Sequence, residues 1–497
     1  MKIKYAISLL VMALAVPMTI HAQMVKDENQ PPSLNNLLNI VNDLGSADYE
    51  GRLAGTKGFD NAAEYVAREL SLCGVQPYQG SWEQLFEIET NQIENATFET
   101  YVNANDTRTI YVLGNDFCCA GMTGRGYADA NVVFCGYGID DPKYNEYAHV
   151  DAKGKIVMVL SGTPNFLPSK ITDRYTIREK ARAAVRHGAC GLVIININKN
   201  CAPTEVQGKV FNGEGPHLAT FPIIQPTRAC GEALLQEEPF QLQNLIDTIQ
   251  STMEPFSFHL KKRFEIRVDT RYHPSALTSN IMGIYPGSDA SLKNEYIVVG
   301  AHLDHLGMQG ETCLFPGAED NVSGVAVLLE VARMLHNAEL KPRRSVVFVI
   351  FSGAEQQYLG SQVFVSNFKP LKRIEAFINI ECVGSGDSIV ALGNKRYPRL
   401  FSVACDMDSA FTDYSLARGF KTLPKGDAAA FDKIGIPSLV FTNLNGNKHP
   451  HVPSDIPENI DRDYLYKTAK LVYETVYELT FGNYQGRSAR SKRIRFK

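Results

Sequence analysis

The sequence predicts an α/β fold built on a mixed, mostly parallel sheet sandwiched by helices. Three observations carry that reading. Uninterrupted apolar runs at residues 296–300, 345–351, 376–380 and 437–442 read as strands buried on both faces. Val325, Leu328, Leu329, Ala332 and Leu335 recur at the spacing of one helix face between the first two runs. Each run then stops at residues that carry chemistry: His302, Gly353-Ala354-Glu355, Glu381, and a loop with His451. The crevice beyond the carboxyl ends of parallel strands is where such folds place their sites.

In chain order, Lys2 and Lys4 precede an apolar stretch from 6 to 20 and then His21-Ala22-Gln23. This is the pattern of a secretory leader, residues 1–22, with cleavage after Ala22 and export to the periplasm or the exterior. The stretch is short for a membrane span, and no second segment is apolar enough for one. Phe59, Ala62, Ala63, Val66 and Leu70 mark a helix that Gly74 can end, and Gly51, Gly55 and Gly58 before it suggest a tight connection. From about 91 to 264 the pattern changes to short β-rich runs (131–138, 155–161, 191–196, 221–224) around one helix over 178–188. Residues 278–284 return the chain to the first unit, 388–392 add a strand, and a helix runs over 462–479. The expected organisation is thus one unit made of 23–90 and 266–480, an insert over 91–265, and a basic tail over 481–497 whose last twelve residues hold six cations.

At 497 residues the chain is long enough for two or three domains. With 44% hydrophobic and 21% charged residues it has the composition of a folded globular protein. A net charge of −4 argues against nucleic acid or an anionic membrane as a main partner. Ten cysteines fit an oxidising compartment; Cys118 and Cys119 are adjacent, while Cys190 and Cys382 lie in apolar runs and read as buried thiols. A CxxC zinc motif and a Cys/His protease signature are both absent.

The strand ends and the entrance of the helix after 320 offer His302, Asp320, Glu355, Glu381 and His451. Two imidazoles and three carboxylates suit zinc, or two ions sharing one carboxylate. Such ions polarise a carbonyl and acidify water near neutral pH.

Five motifs in order, AHLDH from Ala301, GAEDNVSG from Gly317, FSGAEQQYLGS from Phe351, INIECVG from Ile378 and HVPSD from His451, resemble the zinc aminopeptidases of peptidase family M28. The resemblance covers roughly residues 32–90 and 266–480 and implies a zinc-peptidase/phosphorylase-hydrolase-like fold acting on peptides. It implies one zinc ion on His302, Asp320 and Glu381, a second on Asp320, Glu355 and His451, and Asp304 orienting His302. It also implies a cis peptide between Asp320 and Asn321. The segment 136–162 resembles a protease-associated (PA) domain inserted in the peptidase. The alternative is a plain α/β insertion without a binding role.

The chain departs from the family at three positions. The ungapped segment 351–361 puts Glu355 on the metal-binding glutamate and Ala354 where the family has its general base. A methyl group accepts no proton, so slow turnover is expected; general-base catalysis is worth about 10²–10⁴-fold. The readings left open are an engineered knockout, a natural pseudo-enzyme that binds peptides, and a base supplied from elsewhere, such as Glu319. Glu381 stands where many members have aspartate, and Ala428 where histidine is frequent. A glutaminyl cyclase, with a single zinc on a similar domain, is a further alternative, disfavoured by the insert and the second ligand set. His305 reads as structural, and His149, His187 and His217 as surface or packing residues. The HxxxD spacing selects His451 with Asp455 over His449, and Asp427 reads equally as a residue orienting the cleft or as a turn aspartate.

Overall fold

A computed structural model describes residues 31–103, 107–210, 216–413, 415–419, 421–446 and 451–486. The expected leader, His449 and residues 487–497 of the basic tail lie outside the described residues. Naming the longer elements only, the chain runs α1 (Leu34–Leu44), α2 (Lys57–Leu72), β1 (Glu83–Tyr101), β2 (Phe117–Cys119), β3 (Gly126–Cys135) and β4 (Ile156–Leu160). It continues through α3 (Ile177–Arg186), β5 (Gly191–Ile195), β6 (Ile223–Pro226), α4 (Arg228–Leu234), α5 (Leu242–Thr252) and β7 (Ser257–Tyr285). Then follow β8 (Tyr296–His302), α6 (Ser323–Asn337), β9 (Ser345–Phe351), α7 (Leu359–Asn367), β10 (Ile374–Ile380) and β11 (Ser388–Leu392). The chain closes with α8 (Pro398–Phe411), α9 (Ala428–Lys433), β12 (Ser438–Leu444) and α10 (Arg462–Thr480).

One mixed sheet runs through the molecule in the order β11-β12-β10-β8-β9-β7-β3-β4-β5-β6-β2. It has two parallel blocks, β12-β10-β8-β9 and β3-β4-β5-β6. The long strand β7 lies between them and is antiparallel to both β9 and β3. β1 pairs along β7 from Glu83 to Tyr101, so these two strands form a ribbon shared by both blocks. The expected junctions at 90/91 and 265/266 fall inside these two strands. In β7 the buried residues Phe264, Ile266 and Val268 alternate with more exposed Glu265, Arg267 and Asp269, the period-2 mark of a strand.

The first block is covered on both faces. Ile297, Val299, Phe348, Ile350 and Ile378 pack with α1, α2, α6 and α10, while Val298, Val347, Val349, Phe351 and Phe377 pack with Phe364 of α7 and Phe431 of α9. Alternate residues of each strand therefore feed opposite helical layers, which is why these strands read as continuous apolar runs. The register then fixes the site: His302 is level with Phe351, and Gly300 with Asn379, so Ser352–Glu355 and Glu381 emerge at the same sheet edge as His302. Among the described residues, no helix is long and apolar enough to cross a membrane.

Candidate metal centre

The centre is assembled where β8, β9 and β10 end and α6 begins. Asp320 sits in a short turn, Ala318–Val322, and its peptide bond to Asn321 is cis. The buried Asn321 side chain ties this turn to the sheet: its amide donates to the Ile380 carbonyl at 3.0 Å, and its oxygen accepts from the Cys382 N–H at 2.9 Å. Asp455 fixes the other side, accepting from the N–H groups of Glu319 (2.7 Å) and Asp320 (3.1 Å). Between these clamps the two Asp320 oxygens face different imidazoles. Oδ1 is 3.4 Å from His302 Nε2, and Oδ2 is 3.5 Å from His451 Nε2. Glu355 Oε2 lies 3.1 Å from the same His451 nitrogen.

His302 is buried, whereas the His451 side chain keeps 30% exposure and forms the open side of the centre. His451 has φ +60°, and its carbonyl accepts from the Gly208 N–H at 2.9 Å, a contact reaching out of the insert. Glu381 Oε2 accepts from the Asn379 amide at 3.0 Å, and a Cβ on Gly426 would fall 2.1 Å from that same oxygen.

Asp304 meets the free ring nitrogen of His302 with its main chain, and His305 differs from the sequence reading. His302 Nδ1 is 3.2 Å from the Asp304 carbonyl oxygen but 4.0 Å from its carboxylate. The carboxylate instead accepts from the N–H groups of Ala354 (3.1 Å) and Glu355 (3.2 Å), so Asp304 holds the turn after β9. His305, read as structural, is fully buried with Nδ1 3.2 Å from Glu355 Oε1, and it groups with Asp320 and Glu355 as donors all within 4.8 Å of one another. Its place beside Asp304 in the sequence hides this, because the loop turns its ring to the opposite oxygen of Glu355.

Arg52 was not singled out by any motif. Its guanidinium is buried beneath the centre and donates to four carbonyls: Leu303 (2.9 Å), Leu44 (2.7 Å), Pro316 (2.7 Å) and Gly317 (3.0 Å). Burial lowers its pKa to about 10, opposed by Asp455, Asp304, Asp320 and Glu355. The only signal was its position beside Gly51 in the glycine-rich segment.

The electrostatics are those of a cation site. Burial pushes Asp304, Glu381 and Asp455 up to about 7 and Asp427 to about 6. Glu355 is held well below the usual carboxylate range, because His451 and His305 outweigh its burial. Burial opposes charge on His302 and His451, yet Asp320 prevails at His302, and Glu355 with Asp320 raises His451 to about 9. Several buried acids crowd a pocket that, among the described residues, they share with His302, His305, His451 and Arg52. Divalent cations would relieve that excess. The imidazole and carboxylate donors fit zinc, and Asp320 has an oxygen for each of two ions.

Residues 280–476 match the family model of peptidase family M28, and residues 117–234 match that of the PA domain. The carboxyl-terminal part of the chain thus carries an M28 peptidase region, preceded by a PA-domain region. Its M28 region is similar to curated aminopeptidases. The Bacillus subtilis aminopeptidase YwaD is 27% identical over 350 residues, 67% of this chain and 64% of that protein. An aminopeptidase of Pseudomonas aeruginosa is 26% identical over 361 residues, covering 70% and 56%. A probable leucine aminopeptidase of Arthroderma otae is 28% identical over 212 residues, covering 41% and 58%. The chain thus spans less than two thirds of the length of each of these relatives. In fold, the chain matches a zinc aminopeptidase from Bacillus subtilis with TM-score 0.64 at 21% identity, covering 90% of this chain and 95% of that one. It also matches an M28 peptidase precursor from Shewanella amazonensis with TM-score 0.60 at 15% identity, covering 92% and 99%.

Proposed function

We propose that the chain is an exported M28 metallo-aminopeptidase scaffold that holds two zinc ions and binds the amino-terminal end of a peptide, with turnover depressed by Ala354. The observation that carries this is Asp320, whose two oxygens each face a different histidine at 3.4 and 3.5 Å. In this reading His302, Asp320 and Glu381 take one ion, and Asp320, Glu355 and His451 take the other. Zinc in such a site supplies Lewis acidity to a carbonyl oxygen and acidifies water.

The remaining work falls to the chain. Asp304 fixes the turn that carries residues 354 and 355, and His305 steadies the Glu355 oxygen that His451 does not contact. Asp455 and Asn321 hold Asp320 between the two halves of the site. His451 leaves one side accessible to a peptide. Proton transfer is the missing function. Ala354 cannot perform it, and the carboxylate of Glu319, the alternative base, is buried and accepts from the Ser385 hydroxyl.

Ala354 also favours a second reading, a peptide-binding protein on a peptidase scaffold. The deciding experiment assays a panel of aminoacyl and dipeptidyl amides with the Ala354 chain and with Ala354→Glu, each loaded with zinc. A gain of about 10²-fold or more in the glutamate variant supports the peptidase. If both proteins are inert with metal bound, the binding reading replaces it. Metal analysis runs alongside: two ions per chain are expected, one would favour a cyclase-like site, and none would refute the proposal.

A further inference from the structure

The PA insert contains a cavity that the metal centre does not use. It lies beyond the carboxyl ends of the parallel strands β4, β5 and β6, where Ser161–Thr163, Asn196–Lys199 and Arg228 emerge, and α5 closes its far wall. Its volume is about 560 Å³, the size of a small-molecule site. Crevices in this position of an open α/β sheet are where ligands bind.

The lining is polar and carries a net positive charge. Lys199, Lys209 and Arg228 face a single acid, Asp247, which already accepts from the Gln243 amide at 2.7 Å. Neither Lys199 nor Lys209 has an ion-pair partner among the described residues, whereas Arg228 donates to Gln243 at 2.7 Å and to Glu232 at 3.3 Å. Lys180, buried beneath, spends its ammonium on the Leu160 and Gly162 carbonyls.

Gln225 decides the ligand chemistry. Its side chain is only 7% exposed and lines both this cavity and a smaller one of about 170 Å³ behind it, yet Oε1 receives no hydrogen bond from the described residues. A buried amide oxygen without a donor is costly, so a fitting ligand brings an N–H to it. The same ligand brings an anion to Lys209 and Arg228. An α-amino carboxylate supplies both, an N–H donor and an anion joined through one carbon.

We propose that this cavity binds a free amino acid or the carboxyl-terminal residue of a short peptide, its N–H donating to Gln225 Oε1 and its carboxylate meeting Lys209 and Arg228. The site is separate from the metal centre. The strap Gln207–Lys209 stands between them, forming a wall of the cavity on one side while the Gly208 N–H meets the His451 carbonyl on the other.

The test uses the full chain stripped of metal by a chelator, which silences amino-acid binding at the metal centre. Calorimetric titration compares leucine, N-acetyl-leucine and leucine amide. Binding by leucine or N-acetyl-leucine, with leucine amide at least roughly tenfold weaker, is expected, because the amide lacks the charged acceptor. Tighter binding of leucine than of N-acetyl-leucine identifies a free amino acid; comparable or tighter binding of N-acetyl-leucine identifies a peptide terminus. Lys209→Ala and Arg228→Ala, both at solvent-accessible positions, should each weaken binding about tenfold or more. Hydrogen exchange should show ligand protection at 161–163, 196–198 and 225–228. The proposal is overturned if neither carboxylate ligand binds, if leucine amide binds as tightly, or if both variants keep the affinity of the unsubstituted chain.

Discussion

Replacing Arg52 by methionine tests whether the centre depends on one buried cation. The guanidinium makes four hydrogen bonds to main-chain carbonyls from three separated stretches: Leu44, Leu303, and Pro316 with Gly317. Methionine keeps much of the volume and removes every donor. A buried carbonyl left without a partner costs about 1–3 kcal/mol, so four of them set an upper bound near 12 kcal/mol. Removing the cation also removes its own desolvation cost, which returns part of that sum. Disrupting a buried charged network nets about 3–5 kcal/mol. The expected loss is therefore about 4 kcal/mol, read as a shift in the denaturant midpoint of the zinc-loaded protein. Leu303 follows His302, and Gly317 precedes the Asp320 turn, so metal affinity should also fall about 10–100-fold, the usual effect of losing a group that orients ligands. A stability change below about 0.5 kcal/mol with unchanged zinc affinity would refute the reasoning, because that is the range of an indifferent surface substitution.

Three further outcomes follow from the same geometry. The metal-stripped protein should lose stability between pH 5 and pH 8. Asp304, Glu381, Asp455 and Asp427 have folded pKa values raised to about 6–7, so their contribution is full below their ordinary values and lost as pH rises; His451, raised to about 9, acts in the same sense. Zinc should reverse the trend in thermal melts, and a metal-free protein that grows more stable from pH 5 to 8 would contradict it. Gly426→Ala should lower zinc occupancy, measured by metal analysis, because its Cβ would displace the Glu381 oxygen and its φ is +58°. Unaltered occupancy would show that Glu381 is not held there. In the insert, Glu146→Ala should cost about 3 kcal/mol and speed proteolysis between 117 and 234. The buried carboxylate accepts from Tyr137 and Ile139 N–H groups at 2.8 and 3.0 Å, and both would be left unpaired.

The sequence by itself determined the first sheet block, its helices and the order of the chemical residues. Strands covered on both faces must be apolar throughout, and a helix against them must repeat its apolar positions, so the runs 296–300, 345–351, 376–380 and 437–442 and the helix positions 325–335 were visible as local patterns, within a few residues of the observed elements. The β1–β7 ribbon left a trace in the alternation at 264–269, but its register against β3 and β9 depends on residues far away in the chain. Tertiary structure alone decided which oxygen of Asp320 meets which histidine, that Asp304 grips the 354–355 turn, that His305 meets Glu355, and that Gly208 of the insert reaches His451. The same holds for Arg52 and for the unmet oxygen of Gln225. Periodicity reports only on neighbours within a strand or a helical turn. Contacts across roughly 250 residues exist only after the sheet has fixed where each loop emerges.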